Sequence, residues 1–232
     1  MKRILLAFFV LSMALSATAQ DVPKRVYINP GHGDWGPLSR PMATVNYAAY
    51  DTLGFFESNT NLWKAFALQE KLVGAGYDVM MSRTQNGPYP YVEGDETIDK
   101  KLYDISDEAN LFGADYFISI HSNATSVDGD LVNYPLFLYA GKDYGANNID
   151  ESYSMAEAAW PRHFEAFGND KDWQTITHGF EPNSHYSQEV PNLRGDESFY
   201  GGSGLQVLEH SCPGYLVEGY FHTYQPARHR AL

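Results

Sequence analysis

Three short apolar runs in this chain each lead to a side chain able to hold a metal or move a proton. Val26–Ile28 leads through Asn29, Pro30 and Gly31 to His32, Phe117–Ile120 leads to His121, and Tyr215–Val217 leads to Glu218. Hydrolytic zinc sites are commonly built from two histidines and one carboxylate, with the fourth position left for water. His32 and His121 are the candidate nitrogen donors. Glu57, just ahead of the first predicted helix, is the candidate carboxylate ligand. Glu218 is the candidate general base, because a charge directly after an apolar strand needs a partner or a purpose. The chain has no HExxH pair, so these ligands must be gathered from distant segments. Each residue alone also has an ordinary explanation. A strand-end histidine is commonly a hydrogen-bonded loop residue, an acid near a helix N-terminus is favoured electrostatically whatever its function, and Glu218 could cap its strand in solvent. His163, His178, His185, His210, His222 and His229 are expected at the surface, with His185 and His210 held in reserve as ligands.

The elements that must position these groups alternate. The first strand covers Val26–Asn29, and a Gly- and Pro-punctuated loop follows to about Phe56. Leu62, Ala65, Phe66, Leu72 and Val73 then recur at helical spacing and predict a helix over Asn59–Val73, capped by Asn59 and stopped at Gly74–Gly76. Val79–Ser82 reads as a strand, Ile98–Leu111 as a helix and Tyr116–His121 as a strand. Such alternation predicts an α/β fold with a parallel core. Parallel strands gather their carboxyl ends on one edge, where ligands bind. His32 and His121 are therefore expected at a common edge, joined by Glu218 if its strand runs the same way. Between Thr125 and Gly204 the pattern weakens. Leu136–Tyr139 suits a strand and Ile149–Phe167 a helix interrupted by Pro161, and the rest reads as a long surface excursion.

Composition narrows the setting. Residues 1–19 combine Lys2 and Arg3, an apolar stretch and Ala17-Thr18-Ala19, the pattern of a cleaved secretory signal peptide. Their removal takes away two cations and no acid, moving the formal charge from −13 to −15. That balance excludes nucleic acid as a partner, since it repels a phosphate backbone. Later segments are too short or too polar to span a bilayer. One cysteine, Cys212, forbids an intrachain disulfide, so stability must come from burial in a single domain of ordinary size.

Six stretches, in order, carry a family likeness: Ile28–Gly33, Glu57–Leu62, Gly76–Arg83, Glu108–Asn110, Ala114–Asn123 and Pro213–Phe221. Together they resemble the zinc-dependent N-acetylmuramoyl-L-alanine amidases of the type-3 family, which cleave peptidoglycan, and the likeness spans nearly the whole mature chain. The resemblance implies a zinc ion on His32, Glu57 and His121, Glu218 as catalytic glutamate, and peptidoglycan as substrate. It implies a central mixed, mostly parallel sheet of about six strands flanked by helices, in one catalytic domain over residues 24–232 with an excursion at about 125–204. An exported enzyme of this kind works in the periplasm or outside the cell. The chain departs from the family in three places. Asp34 replaces a customary glycine, the gap from His32 to Glu57 is long, and the family's last helix is expected to be missing before Leu232. Two other readings share these residues: a zinc peptidase or deacylase acting on another bond of peptide-bearing glycans, and a noncatalytic wall-binding protein with a decayed site. Muropeptide products separate the first from an amidase, and metal content separates the second.

Overall fold

The computed structural model describes residues 22–33, 56–87, 100, 102–125, 129, 132–133, 135–139, 148–163, 165–166, 193–194 and 212–231. The expected signal peptide, Asp34, most of the long loop after His32, and His178, His185 and His210 lie outside these residues. Strands β1 (Arg25–Pro30), β2 (Asp78–Met81), β3 (Tyr116–Asn123), β4 (Leu136–Leu138), β5 (Leu193–Arg194) and β6 (Gly214–Phe221) alternate with helices α1 (Glu57–Gly74), α2 (Leu102–Phe112), α3 (Ile149–His163) and α4 (Gln225–Ala231). The strands form one sheet in the order β2-β1-β3-β6-β4-β5. β2, β1, β3 and β6 are mutually parallel, while β4 runs antiparallel to β6 and carries β5 parallel to itself. This is the mixed, mostly parallel α/β sheet expected.

Strand alternation sorts the core into two faces. Tyr27, Phe117, Leu136, Leu138 and Leu216 pack with Ile105 and Ala109 of α2 on one side. Val26, Ile28 and Ile120 pack with Leu62 and Ala65 of α1 on the other. Phe137, Tyr139, Tyr215 and Val217 continue that second face to Ala156 of α3. The sheet is thus buried on both sides, as parallel strands joined by crossovers require.

Several expectations need correction. α1 begins at Glu57 rather than Asn59, with Phe56 at its N-cap and no side-chain capping bond. Phe66 and Val73 are 40% and 55% exposed, so the buried stripe of α1 is narrower than its apolar residues suggested. α3 runs through Pro161 and ends two residues later. Within residues 125–204 the expected strand and helix are present as β4 and α3, whose Leu136, Phe137, Leu138 and Ala156 are core. The chain also carries a helix after its last strand, where none was expected. α4 has seven residues, too few for an apolar period, and is anchored instead by the buried Arg228, whose Nη1 donates to the His222 carbonyl at 2.9 Å. His222 itself is fully buried and accepts or donates a bond with Ser122 Oγ at 3.0 Å, against the expected surface placement. Among the described residues no helix is long and apolar enough to cross a membrane.

Candidate active site

The sheet order reverses beside β1: its first successor β2 lies on one side, and β3 on the other. Such a switch point opens a crevice at the carboxyl ends of the strands. His32 follows β1 there, and His121 lies near the end of β3. Glu57 reaches the same edge because α1 runs back along the sheet and starts at this level. The structure brings the three together: one donor atom from each of His32, Glu57 and His121 lies within 4.8 Å of the others. Glu57 Oε2 is 3.4 Å from His32 Nε2, and Oε1 is 3.2 Å from His121 Nδ1. The two imidazoles meet edge to face, with centroids 5.0 Å apart.

Backbone geometry makes this convergence possible. The Gly31 amide donates to the Ile120 carbonyl at 2.9 Å, extending the β1–β3 ladder one residue beyond the strand. His32 then takes φ 55°, a left-handed conformation uncommon outside glycine, which turns its ring back over the edge. The His121 ring lies against the Gly31 backbone so closely that a Cβ there would fall 2.1 Å from its Nε2. Below the site, Ser119 Oγ donates to Asn29 Oδ1 at 2.7 Å and Asn29 Nδ2 to Ser82 Oγ at 2.9 Å, which ties the ends of β3, β1 and β2 together.

Glu57 is only 2% exposed. Its Oε1 accepts from the Ser122 amide at 2.9 Å and from Asn61 Nδ2 at 3.4 Å. Burial pushes its carboxyl up, but the facing His32 and His121 rings more than offset this and hold it well below the usual range. A buried carboxylate between two imidazoles is a seat for positive charge.

Glu218 is the register partner of His121 on the neighbouring parallel strand and is 7% exposed, so it does not cap β6 in solvent. Just beyond it, β6 spends one more residue than β3 between the His121 and Asn123 pairings, a bulge that turns Tyr220 toward α1. Lys64 of α1 lies over the Tyr220 ring at 4.4 Å and donates to its hydroxyl at 3.3 Å. Burial pushes the Lys64 ammonium down to about 7, against Glu57 and Glu218, which favour its charged form. Lys64, Asn61, Ser122 and Arg83 escaped the sequence reading as site residues. Asn61 and Arg83 lie in the stretches that carried the resemblance, and Lys64 stands seven residues after Glu57, two helical turns along one face.

Residues 26–181 match the family described as N-acetylmuramoyl-L-alanine amidase (Amidase_3). The chain belongs to that family. The matched segment contains His32, Glu57 and His121 and ends before Glu218. Among solved structures, the chain is similar to Cwp6 from Clostridium difficile, at 23% identity and TM-score 0.58, over 90% of this chain and 26% of that one. It therefore spans about a quarter of the Cwp6 chain. It is also similar to the N-acetylmuramoyl-L-alanine amidase from Clostridium difficile 630, at 20% identity and TM-score 0.56, over 90% of this chain and 86% of that one. A third similar structure is the CwlD amidase from Clostridioides difficile in complex with the GerS lipoprotein, at 15% identity and TM-score 0.57, over 90% and 91% of the two chains. At such identities these likenesses speak for the chain's fold alone. No curated protein matches it.

Proposed function

We propose that this amidase cleaves the amide between the lactyl group of N-acetylmuramic acid and L-alanine in peptidoglycan, with a zinc ion on His32, Glu57 and His121 and with Glu218 as general base. The observation that carries the reading is the buried Glu57 carboxylate held between two imidazoles, at 3.2 and 3.4 Å. Tetrahedral ligands about 2.0–2.1 Å from zinc have donor-to-donor edges of roughly 3.4 Å; one donor atom from each of the three residues lies within 4.8 Å of the others, so the set fits the ion once its side chains draw in. When bound, such an ion supplies Lewis-acid polarisation of the scissile carbonyl and lowers the pKa of a nearby water.

The chain's own groups supply the rest. Glu218 accepts a proton from water as the water oxygen bonds to the carbonyl carbon. As the C–N bond breaks, Glu218 returns that proton to the L-alanine nitrogen, leaving a lactyl carboxylate and a free stem-peptide amine. Lys64 favours the ionised forms of Glu57 and Glu218 by the same attraction through which they favour its charge. The N-terminal 19 residues, as a cleaved signal peptide, deliver the enzyme to the periplasm or the exterior, where its substrate lies.

Metal content and muropeptide products from one preparation, with and without chelator, test the reading. Intact stem peptides and peptide-free glycan are expected, together with one zinc per chain. Cleavage at another bond would refute the substrate assignment. Glu218→Gln is expected to keep its zinc and lose about 10²–10⁴ in turnover. An active Glu218→Gln protein on purified sacculi would refute the base.

A further inference from the structure

Arg83 stands two residues after β2 and is 8% exposed. Its Nε donates to the Pro30 carbonyl at 3.0 Å. Nη2 donates to the carbonyls of Gly31 and Ser58, both at 2.9 Å. Nη1 donates to Asn86 Oδ1 at 2.6 Å and, at 3.4 Å, to the Gln85 carbonyl. Pro30 and Gly31 are the two residues before His32, and Ser58 is the residue after Glu57. Gly31 is also the backbone against which the His121 ring rests. One guanidinium is therefore bonded next to two of the three ligands and to the surface that seats the third.

We infer that Arg83 is a positioning residue for the metal seat, an inference that rests on the zinc reading above. His32 sits in a left-handed conformation, and a residue held there persists only where its surroundings over-determine it. Arg83 supplies that constraint by gripping the two preceding carbonyls while anchoring them to the first turn of α1. Asn61 adds a weaker tie between the same two segments, reaching the Gly31 carbonyl at 3.5 Å and Glu57 Oε1 at 3.4 Å. The work requires a planar fork with five donors. A lysine ammonium is a single point on a flexible stem and cannot bridge Pro30, Gly31 and Ser58 at once. Without the fork, His32 and Glu57 keep their identities but lose their fixed separation.

Outer-sphere groups of this kind are commonly worth 10–100-fold in metal affinity. The test is zinc affinity by competition with a chromophoric chelator, in the wild type, Arg83→Lys, Arg83→Gln and Ile105→Ala. Ile105 is buried in α2 on the opposite face of the sheet, so its truncation lowers stability without touching the site. Both Arg83 variants are expected to bind zinc about 10–100-fold more weakly and to change the visible spectrum of the cobalt-substituted protein. Ile105→Ala is expected to stay within twofold of the wild type in affinity and to keep its cobalt spectrum. Arg83 variants that lose melting temperature but bind zinc like the wild type overturn the positioning role and leave the metal reading standing. Failure of both Arg83 variants to fold also overturns it, by making the residue a requirement of the fold. A wild type without stoichiometric zinc overturns the metal reading itself.

Discussion

Gly31→Ala is expected to separate folding from the proposed metal binding at this site. A methyl carbon at position 31 would lie 2.1 Å from His121 Cε1 and Nε2 and 2.5 Å from Cδ2. Carbon contacts settle near 3.5 Å, so the ring must retreat by about 1.4 Å, well beyond the roughly 0.2 Å that metal–ligand distances tolerate. The retreat is open to it, because the His121 side chain is 16% exposed and can swing toward solvent. Gly31 is not among the glycines with positive φ, so alanine suits its backbone. Where backbone suits, Gly→Ala stabilises by about 0.4–1 kcal/mol through the unfolded state. Melting should therefore stay within about 1 kcal/mol of wild type. Zinc affinity should fall by more than the ~100-fold typical of losing an outer-sphere partner, and turnover on sacculi by at least about 10²-fold. Metal analysis after dialysis, chelator competition and thermal melting on one preparation provide the readout. A variant with stoichiometric zinc and near-wild-type kcat/KM would show that the seat does not depend on this contact. One that fails to fold would show that the ring cannot move independently of the core.

Three further expectations concern stability. Among the described residues His163 Nδ1 is buried without a hydrogen-bond partner, and burial, helped by Lys64, holds the imidazole down to about 4. The unfolded chain therefore takes up a proton below about 6.5 that the folded protein refuses. Stability should be level above that pH and fall as pH drops toward 4, by on the order of 3 kcal/mol in total. Urea titrations between pH 7.5 and 4.5 should show a flatter profile for His163→Phe, and an unchanged slope would contradict the assignment. Gly113→Ala should destabilise by about 1–2 kcal/mol in urea, since Gly113 has φ +70° and an added Cβ would lie 2.9 Å from Arg25 Nη1; an unshifted midpoint would count against it. Stripping the metal should lower stability reversibly by about 2.7 kcal/mol relative to zinc at one hundred times its dissociation constant, read as a lower melting temperature. Melting curves indifferent to chelator would argue against a folded-state metal site.

Much of the sheet was legible because its strands alternate between two buried faces and end in recognisable turns. Val26–Ile28, Phe117–Ile120 and Tyr215–Val217 read as strands from local pattern alone, and His32, His121 and Glu218 followed as their terminal residues. The weaker readings failed where local pattern is ambiguous. Phe66 and Val73 fit a helical period yet face solvent, because the inward arc of α1 is set by where the helix lands on β1 and β3. α4 was invisible because seven residues carry no period, and a buried arginine does not announce itself in sequence.

What the chain determines locally is the inventory: which side chains can bind a metal or move a proton, and which runs must be strands. Tertiary structure alone decided their distances and supports. The 3.2 and 3.4 Å contacts around Glu57 arise from a sheet order that reverses beside β1, a pairing between residues far apart in the chain. The same long-range packing set the His121 ring on Gly31, turned Tyr220 toward Lys64 through a one-residue bulge, and ran Arg83 into three carbonyls from two other segments. Spacing along a chain carries no information about such approaches, because they are produced by the closing of the sheet and not by any neighbour in sequence.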